Sequence, residues 1–223
     1  MPTDIAVYFG LDGTLVHPDR PFEDVVRTAF ERCDYAADDV TVEAYCRALG
    51  DLVDDCEDAP YARAVEAVGL DVDPELFDAA IHVVEPGFTE ADPDATALLS
   101  ELARFPVGVL THGEGRMQRA KLDACGLTSH FDAVVVSGEV GAGRPDPELY
   151  ALAEERLPAA GHALVAHDLQ RDVHPAVEYG WTGVHLGAGA TGAGGVDEVG
   201  DSGAVIAAES LTAVPGVLDV VDR

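Results

Sequence analysis

The sequence predicts an α/β fold, a Rossmann-like, doubly wound parallel sheet with an inserted helical cap domain. Short β-branched runs, each ending in a Gly- or Asp-containing turn, alternate with longer segments of helical periodicity, which is the pattern of βαβ units. In addition, roughly 90 mostly helical residues separate the first run from the second. The predicted strands are residues 5–9, 107–110, 133–137, 163–166 and 182–186, with a last strand near residues 204–207.

The segment after the first strand is too long and too helical to be a crossover connection alone. Its candidate helices are residues 22–33, 42–56, 61–68 and 74–84. In a doubly wound sheet, an insertion at this point lies over the carboxyl ends of the strands, where ligands bind. We therefore expect a core domain of residues 1–16 and 89–223 and a helical cap domain of residues 17–88.

Two further helices carry recognisable end signals. The helix predicted at residues 116–125 has an apolar stripe, and Gly126 follows it as a stop. The other begins at Asp146 and Pro147, an N-cap followed by proline at the first helical position. We expect both helices to pack against the core. Residues 187–203 are rich in Gly and Ala and predict a mobile surface loop.

Acidic residues outnumber basic ones by 42 to 13, which gives the 223-residue chain a formal charge of −29. In molar salt the Debye length shrinks to roughly 3 Å, so a salt-rich cytoplasm is where this self-repulsion costs least. We therefore expect a halophilic, archaeal, cytoplasmic protein. The alternative, an acidic face that recruits a basic protein partner, is less favoured because the acids are spread along the chain.

The same composition argues against two classes of partner. The sequence has no basic patch that could neutralise phosphates by releasing counterions, so we expect no nucleic acid. No stretch approaches the roughly 18 consecutive apolar residues of a membrane span, so we expect neither a membrane partner nor a signal peptide. The sequence names no protein partner.

Four short motifs follow predicted strands. Each motif alone is short and turn-like, but the four together, in this order and each after a strand, form a specific pattern. Their sequences are Gly10-Leu11-Asp12-Gly13-Thr14, Thr111-His112-Gly113, Gly143-Arg144-Pro145-Asp146-Pro147 and His167-Asp168-Leu169-Gln170-Arg171-Asp172.

This set resembles the four motifs of the haloacid dehalogenase (HAD) superfamily, in particular its small phosphatases with a helical cap, and it covers essentially the whole chain. That family carries Asp-x-Asp-Gly-Thr in the first motif, and Gly10 stands here in place of the first aspartate. The resemblance implies phosphomonoester hydrolysis, in which the first aspartate attacks phosphorus and the second, here Asp12, protonates the leaving oxygen.

The resemblance also implies the remaining site residues. Thr111 and Arg144 join Asp12 at the catalytic positions; the family has Lys instead of Arg144, whose guanidinium can be bidentate toward phosphate where lysine is a point charge. His112 is either a ligand-binding residue or a surface residue beside the cleft. The positions expected to bind ligand are Leu11, Gly13, Thr14, His112 and Gly113.

Magnesium is the cofactor that the resemblance implies, and it prefers oxygen ligands in near-octahedral geometry. The fourth motif allows two alignments. With four residues between the aligned positions, His167 replaces the metal aspartate and Asp172 is the second acid; with three, Asp168 is the metal ligand and His167 replaces a glycine. His167, Asp168 and Asp172 are thus the metal candidates. Because position 10 supplies no carboxylate in either alignment, we expect magnesium binding to be weak or absent.

Gly10, Arg144 and the changed fourth motif lie in three separate segments of one predicted cleft. This favours a degenerate site in a hydrolase-like protein that is weakly active or inactive and binds a small phosphorylated or anionic molecule. The alternative is an active magnesium-dependent phosphatase or related hydrolase that uses another nucleophile or an activated water. A third hypothesis is a transition-metal site, since imidazole suits Zn²⁺ or Ni²⁺ better than Mg²⁺. Its ligands would be His112, His167 and Asp168.

Overall fold

The computed structural model describes residues 5–187, 196–198 and 204–221, and a seven-stranded sheet lies at its centre. The strands of the molecule are β1 (Ile5–Phe9), β2 (Val16–Pro18), β3 (Thr89–Ala91), β4 (Val107–Thr111), β5 (Ala133–Val136), β6 (Gly161–Ala166), β7 (Thr182–Leu186), β8 (Val196–Glu198) and β9 (Ala204–Ala208). The order in the sheet is β5-β4-β1-β6-β7-β9-β8, with β8 antiparallel to β9 and the other pairs parallel. β2 and β3 form a separate antiparallel ribbon.

The central position of β1 explains its composition. All five of its residues are buried. Val7 pairs with Val107 of β4 on one side and with Ala163 of β6 on the other. A parallel strand covered on both faces needs apolar residues at consecutive positions instead of in alternation, so its sequence is one apolar run. Its carboxyl end therefore opens between β4 and β6, at the middle of the sheet edge.

Helices cover both faces of the sheet, which confirms the doubly wound α/β fold. Val7 and Phe9 pack on one face in a cluster that includes residues of α5, α6 and α10, while Tyr8 packs on the other face with residues of α8 and α9. The helices are α1 (Phe22–Arg32), α2 (Asp39–Asp54), α3 (Pro60–Val68), α4 (Pro74–Gly87), α5 (Ala95–Glu101), α6 (Gly115–Ala124), α7 (Ser137–Val140), α8 (Pro147–Arg156), α9 (His174–Tyr179) and α10 (Val214–Val221).

Helices α1 to α4, which we call the helical insertion, pack around an apolar cluster of their own. The rings of Phe30 and Phe77 lie 4.4 Å apart, and Tyr45 meets Phe77 edge-on at 4.9 Å. Met117 of α6 belongs to the same cluster, so α6 touches both the sheet and the insertion. The β2–β3 ribbon joins the two parts, and we propose that the domain boundary near residues 17 and 88 lies in it.

Most of the predicted elements are confirmed, with shifts at their ends. Helix α2 begins at Asp39, earlier than expected, because the side chain of Asp38 accepts a hydrogen bond from the N–H of Thr41 and caps it. The prediction of a loop over residues 187–203 is wrong at Val196–Glu198, which pair with β9; residues 188–195 and 199–203 lie outside the described residues. No helix in the described part of the chain is both long and apolar enough to span a bilayer.

Candidate active site

A cavity of about 700 Å³, which we call the cleft, opens at the carboxyl ends of β1, β4 and β6. The sequence predicts a ligand-binding site at this place, because parallel strands present their carboxyl ends at one edge of the sheet. Asp54, at the end of α2, brings the helical insertion to its rim. The predicted site residues that line it are Gly10, Leu11, Asp12, Thr111, His112, Arg144, His167, Asp168 and Asp172.

Gly10 is buried at the floor of the cleft, directly after β1. Its N–H donates to the carbonyl of Val165, so the backbone here continues the strand pairing. A Cβ atom at this position would lie 3.1 Å from Thr14 Oγ1 and 3.4 Å from Ala166 Cβ. A side chain thus fits after a shift of a few tenths of an ångström, and the glycine leaves the cleft without a carboxylate at this point.

Both carboxylate oxygens of Asp12 accept hydrogen bonds from α6. Gln118 Nε2 donates to Oδ2 at 2.7 Å and Lys121 Nζ donates to Oδ1 at 3.0 Å, while 47% of the side chain stays exposed. Desolvation raises the pKa of Asp12, but the charge of Lys121 and these hydrogen bonds outweigh it and bring that pKa below its usual range. Asp12 is therefore held as an ionised acceptor, although the resemblance assigns it the role of a proton donor.

The ammonium of Lys121 is buried and contacts two carboxylates. Besides Asp12, it pairs with Glu85 of α4 at 2.6 Å, and its side chain is 10% exposed. Tyr61 of α3 donates its hydroxyl to the same Glu85 carboxylate at 3.2 Å. Burial would lower the pKa of Lys121, but Glu85 and Asp12 outweigh it and hold that pKa above its usual range. The lysine is thus charged and compensated.

Gln118 joins the second motif to Asp12. Its Nε2 lies 2.9 Å from Thr111 Oγ1 and 2.9 Å from the carbonyl of His112, in addition to its contact with Asp12. Thr111 is buried, with 3% of the residue exposed, and its hydroxyl accepts the hydrogen bond from Gln118. The same hydroxyl donates a long hydrogen bond, of 3.4 Å, to the carbonyl of His112.

Two side chains lie against the ring of His112. The hydroxyl of Ser137 accepts from the N–H of Gly113 at 3.0 Å and lies within hydrogen-bond distance of Nδ1 of His112, at 2.8 Å. Nε2 is buried, has no hydrogen-bond partner among the described residues and lies 3.3 Å from Asp54 Oδ1. Burial and the charges of two nearby arginines lower the pKa of His112. The lowered pKa favours the neutral ring at the cleft wall.

Arg144 is less available than the sequence suggests. Its Nη2 pairs with Asp172 Oδ1 at 2.8 Å, and its Nη1 donates to the carbonyl of Leu110 at 3.2 Å. The side chains of Arg144 and Asp172 are 8% and 11% exposed, so they form a buried ion pair. The fork expected to hold phosphate is thus largely occupied by the chain itself.

The fourth motif is held by local hydrogen bonds. The carboxylate of Asp168 accepts from the N–H groups of Gln170 and Arg171, both at 2.9 Å, and the bonds from these groups lower its pKa despite some desolvation. The ring of His167 lies over Gly13, where a Cβ would come within 2.5 Å of it. Gly13 also has φ of +72°, so both the space beneath the ring and the backbone conformation favour a glycine there.

These residues do not fit a magnesium site as they stand. Asp172 is neutralised by Arg144, Asp168 caps a helical turn, and position 10 has no side chain. Within residues 5–187, 196–198 and 204–221, no three His, Cys, Asp or Glu side chains are arranged to hold a metal ion. The arrangement that the transition-metal hypothesis needs, with His112, His167 and Asp168 as ligands, is likewise not formed among them.

Three expected ligand-binding positions do not line the cleft: Gly13, Thr14 and Gly113. Their N–H groups are already bonded, to Val16 O at 2.8 Å, to Leu11 O at 3.1 Å and to Ser137 Oγ at 3.0 Å, respectively. In the structure these three N–H groups are therefore not free to donate to a ligand. The N–H groups of Leu11 and Asp12 have no partner among the described residues.

Sequence reasoning missed Gln118, Lys121 and Glu85, which control Asp12, and also Asp54 and Arg171 at the rim. One feature of the sequence could have indicated the buried lysine. Gln118 and Lys121 are polar residues three apart on the helix whose apolar stripe was expected to face the core, and the chain has a single lysine. A buried cation on such a face indicates an acidic partner.

Fold and site together define an α/β protein with a ligand cleft at the carboxyl edge of its sheet, beneath a helical insertion. The model of the haloacid dehalogenase-like hydrolases matches residues 6–174, which is most of the chain. The protein therefore belongs to the haloacid dehalogenase-like hydrolases, as the four motifs predicted.

Several similar proteins are phosphatases, and one is an (S)-2-haloacid dehalogenase of Xanthobacter autotrophicus, 40% identical over 65 residues that cover 29% of this chain and 26% of that protein. Over 88 residues the chain is 41% identical to a phosphoserine phosphatase of Thermus thermophilus, a match that covers 38% of this chain and only 35% of that protein. Over 162 residues it is 28% identical to a glyceraldehyde 3-phosphate phosphatase of Methanopyrus kandleri, covering 68% of this chain and 70% of that protein. The chain is phosphatase-like in sequence.

A solved structure extends the likeness to the whole fold. YfnB of Bacillus subtilis, a HAD hydrolase whose structure was bound to magnesium, superimposes with a TM-score of 0.68 over 98% of this chain and 100% of that one. The two are 16% identical, so this likeness concerns the fold alone.

Proposed function

We propose that this phosphatase-like protein binds a small phosphorylated or anionic molecule in the cleft and hydrolyses it slowly or not at all. The observation that carries the proposal is Gly10, which lines the cleft where the resemblance requires the nucleophilic aspartate. Without a carboxylate at this position no aspartyl phosphate can form, and the covalent route of the family is closed.

Several donors remain for an anion. They are the ring of His112, the N–H groups of Leu11 and Asp12, and the N–H groups of Arg144 that Asp172 and Leu110 leave open. A carboxylate at position 10 would repel a phosphate oxygen about 4 Å away by roughly 4 kcal/mol at an effective dielectric of 20. Gly10 removes that repulsion, so the proposed binding needs no divalent metal.

The proposal includes only weak binding of magnesium in the cleft. Asp168 and Asp172 are the acids of the fourth motif, and each is already bonded, to backbone N–H groups or to Arg144. A metal would have to displace those bonds without the oxygen that an aspartate at position 10 supplies.

The kinetic test is hydrolysis of an aryl phosphate in molar salt, with and without Mg²⁺. We expect rates near background for the wild type. Gly10→Asp alone should restore little, because Arg144 stays paired with Asp172 and Asp12 stays ionised against Lys121. Wild-type turnover of roughly 1 per second or more, an ordinary enzymatic rate, would refute the proposal.

The binding test is calorimetric titration with inorganic phosphate in the presence of a chelator. Arg144→Ala and Gly10→Asp should both weaken binding, the first by removing donors and the second by restoring repulsion. Arg116→Gln is the control, because Arg116 pairs with Asp78 away from the cleft. Binding that needs Mg²⁺, or that survives both cleft substitutions unchanged, would contradict the proposal.

A second candidate function is hydrolysis by a water that Asp12 orients. One observation favours it: Asp12 is ionised, and about half of its side chain is exposed in the cleft. This candidate requires measurable wild-type turnover that Asp12→Asn abolishes, since the amide is not a general base. Equal residual rates in wild type and Asp12→Asn would eliminate it.

A further inference from the structure

Lys121, the one lysine of the chain, lies between the cleft and the helical insertion. Its ammonium contacts Asp12 of the cleft at 3.0 Å and Glu85 of α4 at 2.6 Å. Glu85 is itself 8% exposed and receives the hydroxyl of Tyr61 from α3. A continuous buried path of polar contacts therefore runs from the cleft into the insertion.

Two other polar contacts join α4 to α6 and its N-cap residue without reaching the cleft. Asp78 pairs with Arg116 at 3.1 Å, and His82 contacts Glu114 at 3.1 Å. With Glu85, these residues lie along one side of α4, at spacings of four and three. The contact through Lys121 differs from its neighbours because it continues to Asp12.

We propose that Lys121 is a positioning residue that couples Asp12 to helix α4, so that a change at Asp12 alters the stability of the insertion. A buried ammonium is tolerated only while its desolvation is compensated, and here two carboxylates share that compensation. Loss of either carboxylate makes it less costly for α4 to move away and let water reach the lysine. Coupling of this kind is reciprocal, so a change in α4 also acts on Asp12.

The inference goes beyond the proposed function and does not depend on it, since it is measured without ligand. The test is backbone hydrogen exchange of α4 in the full chain, in molar salt, comparing Asp12→Asn with Thr111→Val. Both substitutions alter a cleft residue that contacts Gln118, but only Asp12 contacts Lys121. Asp12→Asn should speed exchange of α4 roughly tenfold, the effect of losing one charged hydrogen bond. Thr111→Val should leave α4 near the wild-type rate.

A Lys121→Met background separates coupling from a merely structural effect of Asp12. In that background, Asp12→Asn should no longer speed exchange of α4, whereas in a Lys121→Arg background, which keeps the charge, the response should persist. If Lys121→Met does not fold, Glu85→Gln replaces it, because it breaks the path at its other end while leaving the lysine in place. The inference is overturned if Asp12→Asn and Thr111→Val affect α4 equally, or if the response to Asp12→Asn is unchanged without the lysine or its Glu85 partner.

Discussion

The two sides of the cleft are built differently. On the α6 side, Asp12, Gln118 and Lys121 form a network whose lysine is 10% exposed and whose contacts reach into the insertion. On the opposite side, Arg171 pairs with Asp54 of the insertion at 2.9 Å, and both side chains are 64% exposed. Water can replace the contact between Arg171 and Asp54 at little cost but cannot replace the buried contacts of Lys121, so the α6 side holds the insertion to the cleft more firmly.

The largest effect that tests this contrast is expected from Lys121→Met. The substitution leaves Asp12 and Glu85 as carboxylates facing one another without their cation. Breaking a buried ion pair by removing one partner typically costs about 3–5 kcal/mol. We expect a loss of that size in the free energy of unfolding, measured by urea denaturation in molar salt. Arg116→Gln, which removes an exposed partner on the same helix, is the matched control and should cost far less.

The same contrast shows how much of the site the sequence could predict. Gly10, Asp12, Thr111 and Arg144 all line the cleft, because each lies at or beyond the carboxyl end of a parallel strand and those strands end at one edge of the sheet. The network on α6 could not be derived in this way. Lys121 is 109 residues from Asp12 in sequence and 36 from Glu85, and nothing local in either acid indicates a lysine partner.

In the turn after β1, by contrast, the sequence suggests donors that the folded chain uses for itself. Its glycine and threonine look like ligand-binding residues because such turns can offer free N–H groups to anions. In the structure, Gly13 and Thr14 direct those groups to carbonyls of the same turn. The sequence predicts that a turn exists. The direction of each N–H group, however, depends on backbone angles that only the folded chain fixes.

An intermediate effect is expected at His82, which belongs to the α6 side but lies away from the cleft. Desolvation lowers the pKa of His82, but the hydrogen bond to Glu114 and the carbonyl and charge of Asp78 outweigh it, so this pKa is raised. A raised folded-state pKa contributes stability that is fully present below the unfolded value of about 6.5 and is lost as the pH rises through the folded value.

We therefore expect the free energy of unfolding to fall by on the order of 1 kcal/mol as the pH rises through that window, the size of one hydrogen bond. His82→Gln removes the titrating ring, and the difference between the two stability curves isolates its contribution from those of the other histidines. Parallel curves for wild type and variant as the pH rises above about 6.5 would show that the pair with Glu114 does not contribute in this way. Such a result would limit the rigid part of the α6 side to Lys121 and its two acids.

The smallest effect is expected on the exposed side of the cleft, from Asp54→Asn. The carboxylate of Asp54 contacts Arg171 and lies 3.3 Å from Nε2 of His112, yet 64% of it faces solvent. Exposed ion pairs contribute roughly 0–1 kcal/mol, and molar salt screens them further. We expect a change below about 0.5 kcal/mol in the free energy of unfolding by urea denaturation, because the asparagine keeps an oxygen that can accept from Arg171. A loss approaching that of Lys121→Met would mean that this side holds the insertion to the cleft as firmly, and the contrast between the two sides would fail.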